Sequence, residues 1–470
     1  MRLNARHIVP LFLLAAGCGT ETPAASEAQP ELAEVGVKEQ TLLQAAANPQ
    51  ALAGTNARFA STFEREQVAG DIAHYRIRVQ VGPDAAHDVI VLHRVVREKL
   101  AWLPAPSESS LFMVHGDAWD FQAAFMASAP APAEQSIAVY LAQQGVDVWG
   151  IDLRWTQVPA TTQDFSFMKD WNLGTHAQDV GTGLTVARSL RLLTGGGFEP
   201  MTLLGWSRGA AVSYAYLNQE SQLPASLRQV SGFIPVDMAV KFGPEAGAQR
   251  QAACVRAQVG EMVLQSGRYE GNLSGPGAGV SILQLGQAAL AFPNVTASAP
   301  LPPLTYRQLG VTLGAATFTF LSNDAYGIQP VVPFYHFTAG TFGPDGAPTG
   351  LQAVSEPRLF SFFASAHPFQ SFTEMVETDQ LLCGQKNLPY DDHFKDIKLP
   401  VLYVGAGGGY GTYGEYTVKK LLGSKDATIR EVQKLPEAAR VADYGHADLF
   451  QANDAKTAVW APIREWLKRH

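Results

Sequence analysis

The sequence predicts an α/β fold in which a mostly parallel sheet has helices on both faces and a large segment is inserted between two strands. Short, continuous apolar runs alternate with amphipathic helical patterns, as in a parallel sheet that is buried on both faces. That alternation stops between residues 238 and 395, which are rich in Phe and Pro. Because so long a loop without structure of its own would be unusual, we expect this segment to be a cap, or lid, domain.

The predicted strands fall into two groups along the chain. Residues 72–81 alternate between apolar and polar side chains, which predicts a half-exposed strand, and residues 88–96 supply a second strand. Continuous apolar runs then predict the buried strands Leu111–Val114, Val146–Ile151, Met201–Gly205, Phe233–Val236 and Val401–Val404. The α/β core is therefore expected at residues 69–237 and 396–470.

The first residues are typical of an export signal. Two arginines precede an apolar run that is too short to span a bilayer, and small residues lead into Cys18. This pattern resembles a bacterial lipoprotein box, with ordinary secretory cleavage as the alternative. We expect residues 1–17 to be a signal peptide, Cys18 to be lipidated, and residues 18–68 to form a flexible tether and N-terminal extension.

These features predict a bacterial lipoprotein of the cell envelope, or an extracellular protein. Gly19 follows Cys18 where an Asp would favour retention at the inner membrane, so the outer membrane is favoured. Cys254 and Cys383 are the two cysteines besides Cys18. In an oxidising compartment they can form one disulfide, although two buried free thiols are equally compatible with the sequence.

Charge and composition exclude several classes of partner and cofactor. The formal net charge is −8, without a basic stripe that could neutralise phosphates, so we expect no nucleic-acid partner. The glycine-rich run Gly405–Gly411 lacks the Lys-Ser/Thr ending of a phosphate-binding loop. No cluster of His, Cys, Asp and Glu has metal-ligand spacing, and we therefore expect neither a metal nor another cofactor.

The sharpest chemical signal is Gly205-Trp206-Ser207-Arg208-Gly209, which fits the pattern G-x-S-x-G. It follows a predicted strand and opens a helix-compatible run, as a nucleophile elbow requires. Small residues on either side of that strained turn let the serine hydroxyl project above the sheet. Ser207 is therefore the candidate nucleophile, and it needs an adjacent base.

The base is expected late in the chain, on a loop after the last strand. Gly445-His446-Ala447-Asp448 has that position and precedes an amphipathic C-terminal helix, so His446 is the candidate. An oxyanion hole needs two preorganised N–H donors. We assign them to Arg208, directly after the nucleophile, and to Asp117 in the loop after the third strand, with Ala118 as the alternative to Asp117. His115 is expected to hydrogen-bond this loop rather than to react.

The third member of a triad is the open question. The loop after Val401–Val404 holds glycines where an acid is common, and Glu415 lies several residues further on. Asp237 directly follows the preceding strand, where a carboxylate could hold the far nitrogen of His446. Asp237 is favoured over Glu415, with Asp443 and Asp448 as further alternatives.

The order of these motifs resembles the α/β-hydrolase superfamily, and the Gly445–Phe450 stretch and large cap look most like its capped lipases and esterases. The resemblance covers about residues 72–470. It implies a serine–acid–histidine triad and hydrolysis of esters or related acyl bonds. The aromatic residues of the expected cap predict a largely apolar pocket over Ser207, which suits carboxylic esters with bulky or apolar acyl or alcohol groups. Alternatives are an acyltransferase with the same triad, a peptidase or amidase, and a surface-anchored binding protein that has lost its chemistry.

Overall fold

A computed structural model describes residues 62–126, 132–271, 277–298 and 302–470. The predicted signal peptide, Cys18 and nearly all of the predicted tether lie outside the described residues. Within the described ranges, no helix combines the length and the apolar character that crossing a bilayer requires.

The core of the structure is a sheet of ten strands. They are β1 Phe63–Ala69, β2 Ile72–Gln80, β3 Val89–Leu100, β4 Leu103–Pro104, β5 Ser109–Val114, β6 Val146–Asp152, β7 Met201–Trp206, β8 Val230–Val236, β13 Val401–Ala406 and β14 Ala427–Val432. Their order across the sheet is β1-β2-β3-β6-β5-β7-β8-β13-β14, and β4 pairs with β3 outside this path. The pairs from β6 to β14 are parallel, whereas β1, β2 and β3 join at one side in antiparallel pairs. The prediction of a mostly parallel sheet is confirmed.

Helices cover both faces of this sheet. Those of the core are α1 Phe121–Phe125, α2 Ile137–Gln143, α3 Leu173–Leu193, α4 Arg208–Glu220, α10 Asp448–Gln451 and α11 Ala461–Leu467. Alternate residues of β5 enter two different apolar clusters. Leu111 and Met113 pack with α1, α2 and α11, whereas Phe112 and Val114 pack with α3 and α4. Because both faces are buried, the central strands read as continuous apolar runs.

The segment between β8 and β13 has structure of its own. Its helices are α5 Gly247–Gln265, α6 Ala278–Ala291, α7 Tyr306–Ala315, α8 Glu356–Ala364 and α9 Phe372–Cys383. Two small antiparallel sheets accompany them, β9 Glu270–Gly271 with β12 Gln370–Ser371, and β10 Gly340–Phe342 with β11 Pro348–Leu351. A disulfide bond joins Cys254 in α5 to Cys383 at the end of α9.

Two strands of the large sheet differ from the sequence-based expectation. β1 begins at Phe63, so the predicted boundary between extension and core at residue 69 is too late. β14 was not predicted. Both lie at the edges of the sheet, and both carry charged residues that interrupt the apolar pattern of a buried strand.

Candidate active site

Ser207 occupies a strained turn between β7 and α4. Its backbone has φ 56° and ψ −132°, a conformation that costs a non-glycine residue on the order of 1–3 kcal/mol. Its N–H donates to the carbonyl oxygen of Val236 at 2.9 Å, which ties the turn to the neighbouring strand. Trp206 and Arg208 are buried while Ser207 is partly exposed. The turn therefore presents the predicted nucleophile at the carboxyl edge of the sheet.

Both glycines of the G-x-S-x-G pattern are required by packing. A Cβ on Gly205 would lie 2.5 Å from the carbonyl oxygen of Gly209, and a Cβ on Gly209 would overlap the carbonyl oxygen of His115. The start of α4 thus lies directly against the ends of β7 and β5. Any side chain at either position would push the helix away and move Ser207.

Asp237 lies beside Ser207 because β7 and β8 are parallel and in register. Trp206 pairs with Val236, so Ser207 and Asp237 are the next residues along neighbouring strands. Asp237 is completely buried, and its Oδ2 accepts a hydrogen bond from His446 Nδ1 at 2.6 Å. The structure therefore joins the predicted base to the favoured acid.

The glycine-rich run supplies the other partners of this carboxylate. Backbone N–H groups of Ala406 and Gly411 donate to Asp237 Oδ1 at 2.8 and 3.1 Å. A Cβ on Gly409 would overlap the carboxylate of Asp237. The glycine-rich run has no acid at the position where one is common. It packs instead around Asp237, the acid that follows β8.

The other acids considered from the sequence have different partners. Glu415 is partly exposed and forms an ion pair with Lys419. Asp443 Oδ1 accepts the backbone N–H groups of Lys434 and Tyr444 at 2.9 and 2.7 Å. In the described part of the chain, neither Glu415 nor Asp443 hydrogen-bonds the ring of His446.

Asp448 anchors the loop that carries His446 to the inserted segment. Its Oδ2 accepts the N–H groups of Gly445 and Ala339, both at 2.8 Å, and its Oδ1 accepts the hydroxyl of Thr338 at 2.7 Å. Burial raises the pKa of Asp448 to about 7, although these hydrogen bonds act in the opposite direction. Asp448 therefore anchors the histidine loop, and it makes no hydrogen bond to the ring of His446 among the described residues.

His446 is enclosed between two aromatic rings. It stacks on Trp206, with ring centroids 5.1 Å apart, and its ring also lies 5.1 Å from that of Tyr335. Its backbone N–H donates to the carbonyl oxygen of His336 at 2.9 Å. Among the described residues, Ser207 Oγ forms no hydrogen bond with His446. His446 is therefore held against Trp206, the residue before Ser207, but its ring is not hydrogen-bonded to the Ser207 side chain.

The predicted oxyanion loop lies directly against Ser207. A Cβ on Gly116 would lie 2.7 Å from the Cβ of Ser207. His115 holds this loop, because its Nδ1 donates to the carbonyl of Gly116 at 2.9 Å and its Nε2 accepts the N–H of Leu153 at 3.1 Å. Burial lowers the pKa of His115, which keeps the ring neutral.

The two candidate donors in that loop, the backbone N–H groups of Asp117 and Ala118, differ because only that of Ala118 has an acceptor among the described residues. The N–H of Ala118 donates to Gln370 Oε1 at 3.2 Å and is therefore already engaged. Arg208 is the first residue of α4, where a backbone N–H has no acceptor within the helix. The assignment of the two donors to Asp117 and Arg208 stays a prediction, and the alternative Ala118 is less suitable.

The side chains of Asp117 and Arg208 form a buried ion pair that was not predicted from the sequence. Arg208 Nε and Nη2 lie 2.5 and 3.0 Å from the two carboxylate oxygens, and Gln370 Nε2 donates to Oδ1 at 2.5 Å. Burial acts to raise the pKa of Asp117, but the Arg208 charge and these hydrogen bonds outweigh it and lower that pKa. The one sign of this ion pair in the sequence was that Asp117 and Arg208, the two residues assigned as oxyanion donors, carry opposite charges.

A cavity opens beside Ser207, and residues of the inserted segment form much of its wall. It encloses about 570 Å³, including the part that is open to solvent. Two ion pairs contribute to the lining, Asp117–Arg208 and Arg256–Asp379, the latter with Nε and Oδ2 3.2 Å apart. The other lining residues are apolar side chains, two tyrosines and a threonine, and these are Met238, Leu321, Val331, Val332, Leu382, Tyr335, Tyr410 and Thr378. Charged pairs therefore share the wall with the apolar side chains that the sequence predicted.

The sheet order, the elbow at Ser207 and the late histidine define an α/β-hydrolase fold, as the sequence predicted. A candidate lipase from Sulfolobus solfataricus has a similar structure, with a TM-score of 0.56 and 17% identity over 87% of this chain and 99% of that chain. A soluble variant of monoglyceride lipase from Saccharomyces cerevisiae, in complex with a substrate analogue, has a TM-score of 0.38 and 13% identity over 88% and 97%. No protein-family model matches the chain, and no curated protein matches its sequence.

Proposed function

We propose that the protein is a serine hydrolase that cleaves carboxylic esters through an acyl-enzyme on Ser207. The observation that carries this proposal is the hydrogen bond between His446 and buried Asp237, located next to a serine in a strained turn. A carboxylate on Nδ1 leaves Nε2 of His446 as the nitrogen that can accept the serine proton. The hydrogen bond between a catalytic serine and its base is often long or poorly aligned without substrate, and it tightens when substrate binds.

In the first half-reaction, Ser207 Oγ attacks the ester carbonyl carbon while His446 Nε2 takes the hydroxyl proton. The resulting oxyanion is stabilised by the backbone N–H groups of Arg208 and Asp117. The carbon–oxygen bond to the alcohol then breaks, and His446 returns the proton to the leaving oxygen. Asp237 holds the ring orientation and stabilises the imidazolium without itself becoming protonated.

In the second half-reaction, water replaces the alcohol. His446 takes a proton from the water as it attacks the acyl carbon, and Ser207 leaves with that proton when the acid is released. The Asp117–Arg208 ion pair supports both steps, because it joins the two residues whose N–H groups bind the oxyanion. The aliphatic part of the cavity wall suits the apolar part of an ester.

Hydrolysis of short 4-nitrophenyl esters tests the proposed function. We expect wild type to hydrolyse the acetate or butyrate ester, and Ser207→Ala to lose roughly 10⁴–10⁶-fold in kcat. Ser231→Ala is the matched control, since Ser231 lies at the opposite end of β8 from Asp237. Hydrolysis by Ser207→Ala at the rate of the control would contradict the proposal.

The same assay separates hydrolysis from the related activities. With acceptor alcohols added, an acyltransferase would form new esters in preference to the free acid. An anilide of the same acyl group would be cleaved by an amidase or peptidase. We expect free acid as the main product and slow or absent cleavage of the anilide.

We also propose that the enzyme is an exported lipoprotein that is anchored through Cys18 and acts on envelope or extracellular esters. The motif before Cys18 supports this proposal, and that segment lies outside the described residues. Membrane fractionation of a bacterial host that expresses wild type or Cys18→Ser tests it. We expect the wild type with the membranes and the variant in the soluble fraction, and equal distributions would contradict the anchor.

A further inference from the structure

Two tyrosines from different parts of the chain line the cavity that contains Ser207. Tyr335 belongs to the inserted segment, and Tyr410 belongs to the glycine-rich run after β13. Their rings meet edge to face, with centroids 6.1 Å apart, and the ring of Tyr335 also lies against that of His446. The pair therefore lies on the side of the cavity next to the predicted base.

Neither hydroxyl has a hydrogen-bond partner in the part of the chain that the structure describes. Tyr403, which lies in the adjacent strand β13, instead donates to the carbonyl of Gly411 at 2.6 Å. Tyr214 also lacks a partner among the described residues, but its hydroxyl is sealed inside the protein. Tyr335 and Tyr410 differ because they line a cavity, where a bound molecule can satisfy them.

A ligand that fills this cavity displaces the water that can otherwise reach the two hydroxyls. A buried polar group without a partner costs about 1–3 kcal/mol, so a ligand that supplies the partner is favoured over one that does not. Burial raises the pKa of both phenols, which keeps them protonated and able to donate. The complementary group on a ligand is an oxygen atom that accepts hydrogen bonds.

The surrounding charges narrow the class of ligand. The two ion pairs of the cavity wall, Asp117–Arg208 and Arg256–Asp379, bring equal numbers of positive and negative side chains close to Tyr410. A ligand carboxylate would meet two protein carboxylates there, and an ammonium group would meet two guanidinium groups. A neutral oxygen, as in a hydroxyl, ether or keto group, avoids both.

We propose that Tyr335 and Tyr410 form a subsite for a neutral oxygen of the substrate, so that the preferred esters carry a hydroxyl, ether or keto oxygen near the scissile bond. The inference rests on the proposed function and specifies its substrate class. It predicts that plain alkyl esters are poor substrates compared with oxygenated esters of the same length.

Matched pairs of esters test this subsite. 4-Nitrophenyl butyrate is compared with its 2-hydroxy, 3-hydroxy and 3-oxo analogues, and butyl butyrate with the butyrate monoester of a short glycol ether. For wild type we expect kcat/KM to be at least about tenfold higher for one oxygenated member than for its plain partner. In Tyr410→Phe and Tyr335→Phe, that ratio is expected to fall towards one.

The ratio of two substrates within one protein sample is independent of how much of the sample is folded. Tyr326→Phe is the control, because Tyr326 lies in the inserted segment but is 53% exposed, and it is expected to keep the wild-type ratio. Equal rates for every pair in wild type, or an unchanged ratio in both tyrosine variants, would overturn the subsite alone. If no ester is hydrolysed through Ser207, the proposed function falls, and this inference falls with it.

Discussion

At the scale of single residues, Asp237 is held from several directions at once. One carboxylate oxygen accepts two backbone N–H groups and the other accepts His446, inside a pocket from which solvent is excluded. Its backbone, like that of Ser207, has a positive φ, here 47°. Strained conformations that cluster at one site indicate that the surrounding structure imposes them for function.

Asp237→Asn is expected to lower kcat on a 4-nitrophenyl ester by about 10⁴-fold. An amide offers one acceptor oxygen, so its NH₂ group must face either His446 Nδ1–H or the two backbone donors, and the histidine loses its orientation. Glu415→Gln is the control, because Glu415 pairs with Lys419 at the surface, and near wild-type activity is expected. A larger loss in Glu415→Gln than in Asp237→Asn would reverse the assignment of the acid.

Gly409→Ala is expected to reduce activity and to destabilise the fold by about 1–3 kcal/mol, because the added methyl overlaps the carboxylate of Asp237. Gly247→Ala is the control, since a Cβ there meets no atom within 4 Å. Chemical denaturation and ester hydrolysis measure the two effects. Equal stability and activity in both variants would show that the run does not constrain Asp237.

The residues of the site were not equally predictable from the sequence. Ser207 and His446 belong to local patterns, whose glycines the structure explains by close packing. Asp237 was favoured over Glu415 by its place directly after a strand, but the decisive feature, which carboxylate the glycine-rich run surrounds, is set by the fold. The pair Asp117–Arg208 joins residues 91 positions apart, a contact that only the fold creates.

At the scale of elements, the disulfide connects two helices that form part of the cavity wall. Cys254 and Arg256 belong to α5, while Asp379 and Cys383 belong to α9. The covalent link therefore holds the two helices that carry one of the two ion pairs beside Ser207. It also closes a loop with a sequence separation of 129 residues.

Replacing both cysteines, as Cys254→Ser with Cys383→Ser, is expected to lower the free energy of unfolding by about 2–5 kcal/mol. Chemical denaturation with and without reductant measures the change. Reductant should destabilise wild type by a similar amount and leave the double variant unchanged. A variant as stable as oxidised wild type would show that the link contributes nothing.

Central elements were more predictable than edge elements. β5, β6, β7 and β13 are almost completely buried, so their apolar runs are uninterrupted. β1 and β14 each have a neighbour on one side only, and much of each strand is exposed. Their charged residues are compatible with an edge strand but also with a loop, and the sequence pattern does not separate the two.

At the scale of the whole molecule, Asp448 links stability to pH. Its pKa is raised to about 7 in the folded protein, against about 3.9 in an unfolded chain. Between these values the folded protein retains a proton that the unfolded chain has released. The contribution of Asp448 to stability therefore falls as pH rises from about 4 to about 7.

Asp448→Asn removes this titration while an amide can still accept the two backbone N–H groups and donate to Thr338. We expect the free energy of unfolding of wild type to fall relative to that of the variant across this pH range. Denaturation curves at several pH values measure the difference, in which the contributions of other acids cancel. A constant difference between the two proteins would show that Asp448 does not titrate there.

The alternation of apolar runs and helical patterns was enough to predict the architecture as a whole, and the structure confirms the predicted sheet. The inserted segment was predicted only by the loss of that alternation. Its helices and small sheets, and the tyrosine and the charged residues that it adds to the cavity wall, come from contacts between distant parts of the chain.

Covalent labelling with a fluorophosphonate tests most directly whether Ser207 is an activated nucleophile. The reagent phosphonylates a serine hydroxyl only where a base and an oxyanion site make it reactive. Peptide mapping of labelled wild type is expected to show one adduct, on Ser207, and Ser207→Ala is expected to remain unlabelled. An adduct on another residue, or none on folded wild type, would contradict the proposed serine hydrolase.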